Sequence, residues 1–347
     1  MHLEDQSYIL GHIVSITESR DIEILEISML RTIFELVPCR KVYFFKTAED
    51  GLDIISGASY DKKGFIPSCD ISVFKDDPEL NESMGVAFND HRATSVDNHV
   101  HPFTICPVDI LNKNVGFIAL DRPDTTTQDL YVLDSLIRIY QNFVSVLIDN
   151  QRDTLTGLLN RKIFEDSILK LIELRKRDKE DREKIENERR ARKNSDRFWL
   201  GIFDIDNFKR INDTFGHVFG DEILILIGWL VKDVFRAADL KFRFGGEEFI
   251  VVVRAENAES AYSIFDRFRK SVEEYRFPQT GTITVSIGIV EITGEESTSV
   301  FVGNADKALY YAKNNGKNMT CMYRDLVDKG LIEPESIQKG DVLIFDE

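Results

Sequence analysis

Several common classes are excluded by what this chain has little of. Its four cysteines, Cys39, Cys69, Cys106 and Cys321, form no C-x-x-C pair and have no histidine at ligand spacing, which argues against a disulfide scaffold or a zinc module and predicts reduced, buried thiols. No apolar run approaches the ~20 residues of a membrane helix. Residues 1–10 lack a basic start followed by an apolar stretch, so no signal peptide is expected and the expected location is cytoplasmic. Positive charge is short: 44 Lys and Arg stand against 60 Asp and Glu, a net charge of -16. Neither nucleic acid nor an anionic membrane is therefore an expected partner. The Gly-x-x-x-x-Gly-Lys-Ser/Thr string is absent, which excludes a P-loop. A nucleotide would need a local gathering of Lys or Arg. The acid is unevenly spread: residues 1–150 carry 24 acidic and 12 basic side chains, residues 151–347 carry 36 and 32. The second half is the better host for a polyphosphate.

What is present suits two domains and ample cores, with 347 residues of which 43% are hydrophobic. Residues 1–37 carry a helical apolar face that ends at Pro38. Lys41–Lys46 and Leu52–Ser56 read as strands, residues 61–101 as loop-rich, and Phe103–Asp109 and Val115–Leu120 as a further hairpin. His91, His99 and His101 lie near one another in that loop and are expected to be solvated. A long helix follows over 127–153. In it Leu133, Ile137, Tyr140, Val144, Leu147, Gln151 and Thr154 alternate at spacings of four and three, the seam of a parallel two-helix coiled coil. The competing arrangement is an amphipathic helix lying on its own domain. The charged run 173–197 reads as a solvated helix. Strands and helices then alternate: strands at Trp199–Ile205, Phe242–Phe244, Phe249–Val253 and Thr282–Ile292, helices at His217–Phe235, Ala258–Tyr275 and Val300–Asn315. The expected fold class is α/β (α+β), divided into a first domain over 1–126, a connecting dimerising helix over 127–153, a second domain over 154–323 and a tail over 324–347.

Chemistry concentrates in the second domain. Gly245-Gly246 between two β runs suits a turn with positive φ and a close backbone approach by phosphate. The strand ending Asp204-Ile205-Asp206 places two carboxylates at its C-terminal end, costly unless paired or metal-bound. Glu247 across the sheet would complete an oxygen-rich site for Mg²⁺. Metal and triphosphate without a P-loop point to polymerase-palm-like or cyclase-like chemistry. Asp206 has the alternative of a purely structural pairing, and Lys317 that of a solvated side chain.

Taken together, residues 153–161, Phe203–Asp213 (F-D-I-D-N-F-K-R-I-N-D), Thr214–Asp221 (T-F-G-H-V-F-G-D), Arg243–Phe249 (R-F-G-G-E-E-F), Val285–Gly288 and Ala305–Lys317 resemble the GGDEF diguanylate cyclase family in order and spacing. The helix–hairpin–irregular–hairpin–helix order before them resembles a GAF-type sensor in layout. The resemblance implies condensation of two GTP into cyclic di-GMP by a homodimer, with each domain bringing one GTP. It implies that Asp204, the Ile205 carbonyl, Glu247 and Glu248 hold Mg²⁺, with Mn²⁺ as a substitute, Glu248 doubling as candidate general base. Lys209, Lys313 and Lys317 would pair with phosphates, alongside Phe208. Asn212 and Asp221 would read guanine, whose N1 and N2 donors a carboxylate accepts and adenine lacks. Arg236-Ala237-Ala238-Asp239, with Arg267, resembles the family's inhibitory product site, two guanidinium groups and a carboxylate suited to a guanine–phosphate ligand. A surface ion pair would give the same R-x-x-D string. A receptor that binds GTP or cyclic di-GMP without turnover is the alternative function, and a cyclic mononucleotide cyclase a third. The first domain is expected to bind an unidentified ligand or protein partner.

Overall fold

The computed structural model describes residues 20–48, 53–71, 77–90, 92–96, 102–111, 113–122, 126–173, 197–293 and 296–333, together with Gly11 and Val14. His91, His99, His101, almost all of the charged run and the apolar string 341–345 lie outside the described residues. The chain divides into two compact units between Asn150 and Gln151. Among the described residues no helix is long and apolar enough to cross a membrane.

In the first unit, helix α1 (Ile22–Leu36) starts where extended Asp21 accepts from the backbone N–H groups of Glu23 and Ile24, and stops at Val37 before Pro38. An antiparallel sheet follows in the order β3-β2-β1-β6-β5-β4, formed by β1 (Lys41–Thr47), β2 (Ile54–Asp61), β3 (Gly64–Ile66), β4 (Thr94–Val96), β5 (Phe103–Ile110) and β6 (Lys113–Asp121). Neighbouring side chains on a strand point to opposite faces. Phe44 accordingly joins the core under α1 and α3 (Thr127–Asn150), while Phe45 joins the core under α2 (Pro78–Asp90). The stretch expected to be loop-rich thus holds β3, α2 and β4. Leu80, Met84 and Ala87 supply the buried face of α2, a signal too short to stand out among the polar residues around it.

The long helix departs further from expectation. Leu133, Ile137, Tyr140, Val144 and Leu147, read as a dimer seam, are buried in the unit's own core with Leu25, Met29 and Ile33 of α1. Fully burying one such side chain is worth about 1.5–3 kcal/mol, so exposing five to meet a second helix would cost more than one exposed seam returns. The competing arrangement, a helix lying on its own domain, is the one observed. The helix ends at Asn150 and belongs to the first unit rather than standing as a connector.

The second unit is a sheet in the order β14-β13-β8-β10-β9-β7. Its strands are β7 (Leu159–Asn160), β8 (Arg197–Ile205), β9 (Leu240–Arg243), β10 (Glu248–Ala255), β13 (Val285–Ile292) and β14 (Thr320–Met322). A small ladder of β11 (Arg276–Phe277) and β12 (Gly281–Thr282) stands apart. Central β8 runs antiparallel to both neighbours, and only the outer pairs β7–β9 and β13–β14 are parallel. One face is covered by α5 (His217–Val234) and α6 (Ala258–Glu274), and Phe203 stacks on Phe249 at 5.1 Å within that core. The other face is covered by α7 (Thr298–Asn314) and the helical residues 164–173. Helices α4 (Phe208–Phe215) and α8 (Tyr323–Asp328) complete the unit. Cys106 and Cys321 are buried, Cys39 and Cys69 half-buried, and none is in a disulfide. Burial pushes the Cys106 thiol up to about 12 and the Cys39 thiol to about 11, so both stay neutral.

Candidate active site

The site forms where β8 ends. Asp204 sits between Ser286 of β13 and Glu248 of β10, each directly opposite it in the ladder. Residues opposite one another share a face, so Glu248, rather than the expected Glu247, is the across-strand partner. Glu247 belongs to the turn before β10. In that turn neither Gly245 nor Gly246 has a positive φ, against expectation. Gly245 is small for another reason: a Cβ there would lie 2.8 Å from a Glu248 carboxylate oxygen, whereas beside Gly246 the space is open. Arg243 holds the turn by donating to the Gly246 carbonyl at 2.8 and 3.2 Å, and also pairs with Asp153 at 3.1 Å. Burial raises the Asp153 carboxyl, but hydrogen bonds from Thr156 and Arg243 outweigh that and hold it below the usual range. This clamp joins motifs ninety positions apart and was not anticipated; both charges lie inside quoted motifs, which was the only signal.

Helix α7 brings a cation over Asp204. Gly288 permits it, since a Cβ there would meet the Ala305 carbonyl oxygen at 2.1 Å. One turn beyond Leu309, Lys313 Nζ reaches Asp204 Oδ2 at 2.5 Å. Asp204 Oδ1 is buried without a hydrogen-bond partner. Burial, reinforced by Glu247 and Glu248 and opposed by Lys313, pushes the Asp204 carboxyl up to about 6. Glu247 is raised as well, by burial first and then by Glu248, with Lys313 opposing. Among the described residues no three acidic, His or Cys side chains already converge as a finished metal site. The donor set still fits a hard divalent cation: an orphaned carboxylate oxygen, two glutamates that raise its proton affinity, and room at Gly246.

Asp206 takes the structural alternative. It accepts from Thr284 Oγ1 at 2.6 Å, Ser286 Oγ at 2.7 Å and the Asn318 backbone N–H at 3.0 Å. Both its oxygens are used to tie β8 to β13 and to the loop before β14. Asp206→Ala would strand the fully buried Ser286 hydroxyl and is expected to destabilise the protein by about 2–4 kcal/mol, read from urea unfolding midpoints. An unchanged midpoint would contradict this role. The same loop carries Lys317, at φ 61°, whose Nζ donates to Asn207 Oδ1 at 2.5 Å, so it is held rather than solvated.

Two further expected groups assemble. Asn212 Oδ1 is buried and unpartnered, and a Cβ on Gly220 would stand 1.9 Å from it. That glycine lets α4 and α5 meet, and exposed Asp221 follows it directly. The two expected base-reading residues thus lie on adjoining helices, the Asn212 amide oxygen buried against Gly220 and the Asp221 side chain exposed. Lys209 is exposed on α4, and the Phe208 ring is buried in the core, which leaves only its backbone for a ligand. Elsewhere, Arg267 donates to the Val234 carbonyl at 3.1 Å, two residues before Arg236. Asp239 Oδ2 accepts from the Arg236 backbone N–H at 2.8 Å, and Lys241 Nζ donates to the Arg236 and Asp239 carbonyls. Arg236 and Arg267 are thus exposed, and Asp239 beside Arg236 is half-buried. No side-chain ion pair between Arg236 and Asp239 is present among the described residues.

Residues 150–319 match the family model described as diguanylate cyclase, GGDEF domain. The chain is 41% identical over 132 residues to diguanylate cyclase A of Treponema denticola, covering 37% of this chain and 36% of that protein. It is 30% identical over 187 residues to diguanylate cyclase VdcA of Vibrio cholerae, covering 52% and 49%. The chain thus spans less than half the length of these curated relatives. Among solved structures, the active GGEEF domain of a diguanylate cyclase from Vibrio cholerae matches at 30% identity, covering 48% of this chain and 98% of that chain, with a TM-score of 0.39.

Proposed function

With residues 150–319 a GGDEF domain, we propose that this chain is a diguanylate cyclase that condenses two GTP into cyclic di-GMP and two pyrophosphates. The observation that carries the reading is Asp204: a buried carboxylate with one orphaned oxygen, facing Glu248 and held by Lys313. Asp204, Glu247, Glu248 and the Ile205 carbonyl would hold Mg²⁺ or Mn²⁺. When bound, that ion supplies charge neutralisation at the α-phosphate and acidifies the attacking 3′-hydroxyl. Lys313 passes from Asp204 to the phosphates, where Lys209 and Lys317 join it, and the first turn of α4 offers the Phe208 backbone N–H. Asn212 and Asp221 accept from the guanine N–H groups. Glu248 lies in reach of the same strand end and takes the hydroxyl proton.

One domain holds one GTP, so the reading requires a homodimer in which two sites face each other; alignment of the two reactants then supplies much of the rate. The α3 seam is buried, so this dimer is assigned to the cyclase units themselves. The first unit has the layout of a GAF-like sensor, and its ligand or partner would bias the encounter of two cyclase units. Arg236, Asp239 and Arg267 would bind the product as a brake.

Incubation of the chain with GTP and Mg²⁺, followed by chromatography, is expected to yield cyclic di-GMP. Unconverted GTP despite retained binding would favour a non-catalytic receptor instead. Arg236→Ala removes a charge-assisted phosphate contact. It is expected to raise the product concentration giving half-inhibition by about tenfold or more with the initial rate unchanged. Equal inhibition of variant and parent would remove the brake from the reading.

A further inference from the structure

We propose that Arg269 and Glu273 of α6 are positioning residues for the substrate triphosphate, a role that rests on the cyclase reading above: they grip the two ends of the Asn318 carboxamide and so hold Lys317 where it meets phosphate. Lys317 lies in the turn between α7 and β14, where Gly316, Lys317 and Asn318 all have positive φ, at 115°, 61° and 47°. A residue with a side chain is uncommon in this left-handed region and persists there where its surroundings over-determine it. Here they do so through Asn318. Its backbone N–H donates to Asp206 Oδ2 at 3.0 Å, its Nδ2 donates to Glu273 Oε1 at 2.8 Å, and its Oδ1 accepts from Arg269 Nη1 at 2.7 Å. Arg269 is itself held fast. Its side chain is 12% exposed, its Nε donates to Asp266 Oδ1 at 2.7 Å, and its Nη1 donates to Glu273 Oε2 at 2.8 Å. Hydrogen bonds from Asn318 and Arg269 hold the Glu273 carboxyl below the usual range. The amide satisfies both partners in one orientation only, oxygen to the guanidinium and nitrogen to the carboxylate.

Lys317 is thereby set from both sides. Residue 318 is clamped, and the Lys317 backbone N–H donates to the Ala312 carbonyl at 3.0 Å. Its Nζ then reaches Asn207 Oδ1 at 2.5 Å, directly ahead of α4, whose first turn is the proposed phosphate cradle. A return of Lys317 or Asn318 to the right-handed region would turn the Lys317 Cα–Cβ bond and carry the ammonium away from that helix end. Arg269 and Glu273 act through Asn318 and need not touch the nucleotide themselves. Arg267, two positions before Arg269, bonds the Val234 carbonyl instead, so the clamp is separate from the residues proposed to bind product.

Binding is measured apart from chemistry with a GTP analogue whose α,β-bridging oxygen is a methylene group, so that pyrophosphate cannot leave. Its affinity for the full chain with Mg²⁺ is read by calorimetry, and KM and kcat with GTP are read alongside. Lys317→Ala, Arg269→Gln and Asn318→Gly are each expected to weaken analogue binding about tenfold and to raise KM by a similar factor, with kcat changed less, because each costs one charge-assisted contact to phosphate. Asn318→Gly keeps the positive φ and the backbone N–H to Asp206, so it reads the clamp even where Arg269→Gln fails to fold. In the Lys317→Ala background neither Arg269→Gln nor Asn318→Gly should weaken binding further, since the clamp reaches the nucleotide only through Lys317. The proposal is overturned if Asn318→Gly and Arg269→Gln bind the analogue as tightly as the parent. It is equally overturned if their losses add in full to that of Lys317→Ala, the result for a clamp that merely supports the fold. A parent that shows these couplings yet makes no cyclic di-GMP removes the catalytic reading and leaves the clamp, whereas a parent that binds no analogue overturns both.

Discussion

Asp204→Asn is expected to abolish cyclic di-GMP formation, by about a thousandfold or more, and at the same time to make the cation-free protein more stable. The first effect follows from losing the buried strand-end carboxylate that keeps an unpartnered oxygen, since removal of a single preorganised electrostatic group costs on the order of 10²–10³ and here a cation goes with it. The second follows from its environment. Burial, with Glu247 and Glu248 adding to it and Lys313 opposing, pushes the carboxyl up to about 6. A folded value above the ordinary 3.8 means the native state holds the proton more tightly than the unfolded chain does. The stabilisation this gives is full below the unfolded value and is lost as pH rises through about 6. At pH 7 the ionised carboxylate is therefore a burden on the fold. A rise of that size, with the opposing Lys313 contact already included, corresponds to about 3 kcal/mol as an upper bound, and solvent relaxation around the carboxylate reduces the gain expected for the asparagine variant to about 1–2 kcal/mol. In chelator-treated protein at pH 7 the Tm should rise by roughly 3–6 °C. The difference should shrink as pH falls from about 6 and vanish only below the unfolded value of 3.8. A variant less stable than its parent at pH 7 would show that Asp204 supports the fold rather than straining it.

The next largest effect is expected at Asn212 and Asp221, the residues proposed to read guanine. Asp221→Ala leaves the fold untouched, because Asp221 is exposed at the start of α5. On the proposed reading it removes a carboxylate that accepts from the guanine N–H groups. Loss of a charged acceptor for two N–H donors is worth about 2–3 kcal/mol. The KM for GTP should rise about 30- to 100-fold, with kcat less affected. Discrimination against ATP, measured as a ratio of kcat/KM values, should fall by a similar factor. A variant that prefers GTP as strongly as its parent would move base recognition elsewhere in the site.

That Asp204, Glu247, Glu248, Lys313, Asn212 and Asp221 are the candidates for chemistry was legible in the sequence, because residue type, order and spacing survive in a string of letters. Which glutamate stands opposite Asp204 was not. Adjacent strand residues point to opposite faces, so the answer depends on a register between β8 and β10. Asp206 could be a ligand or a strut until Thr284, Ser286 and Asn318, distant in sequence, arrived to use both its oxygens. The clamp of Arg243 on Asp153 is likewise a product of β9 lying beside the opening motif.

The long helix makes the same division clear. Its periodic apolar positions, and hence its existence as an amphipathic helix, followed from the sequence, since a helix repeats every 3.6 residues whatever it packs against. Whether that stripe meets a second copy or its own sheet is a question of which surface is nearer and larger. Only the packed core of α1, the sheet and α3 answers it. By itself the sequence determined the resemblance of the second domain to the GGDEF family, the residue types of its candidate site and the bounds of most elements, all of which depend on local order along the chain. The tertiary structure decided which oxygens remain free, at Asp204 and Asn212, because a lone pair is satisfied or left over only once every distant donor has taken its place.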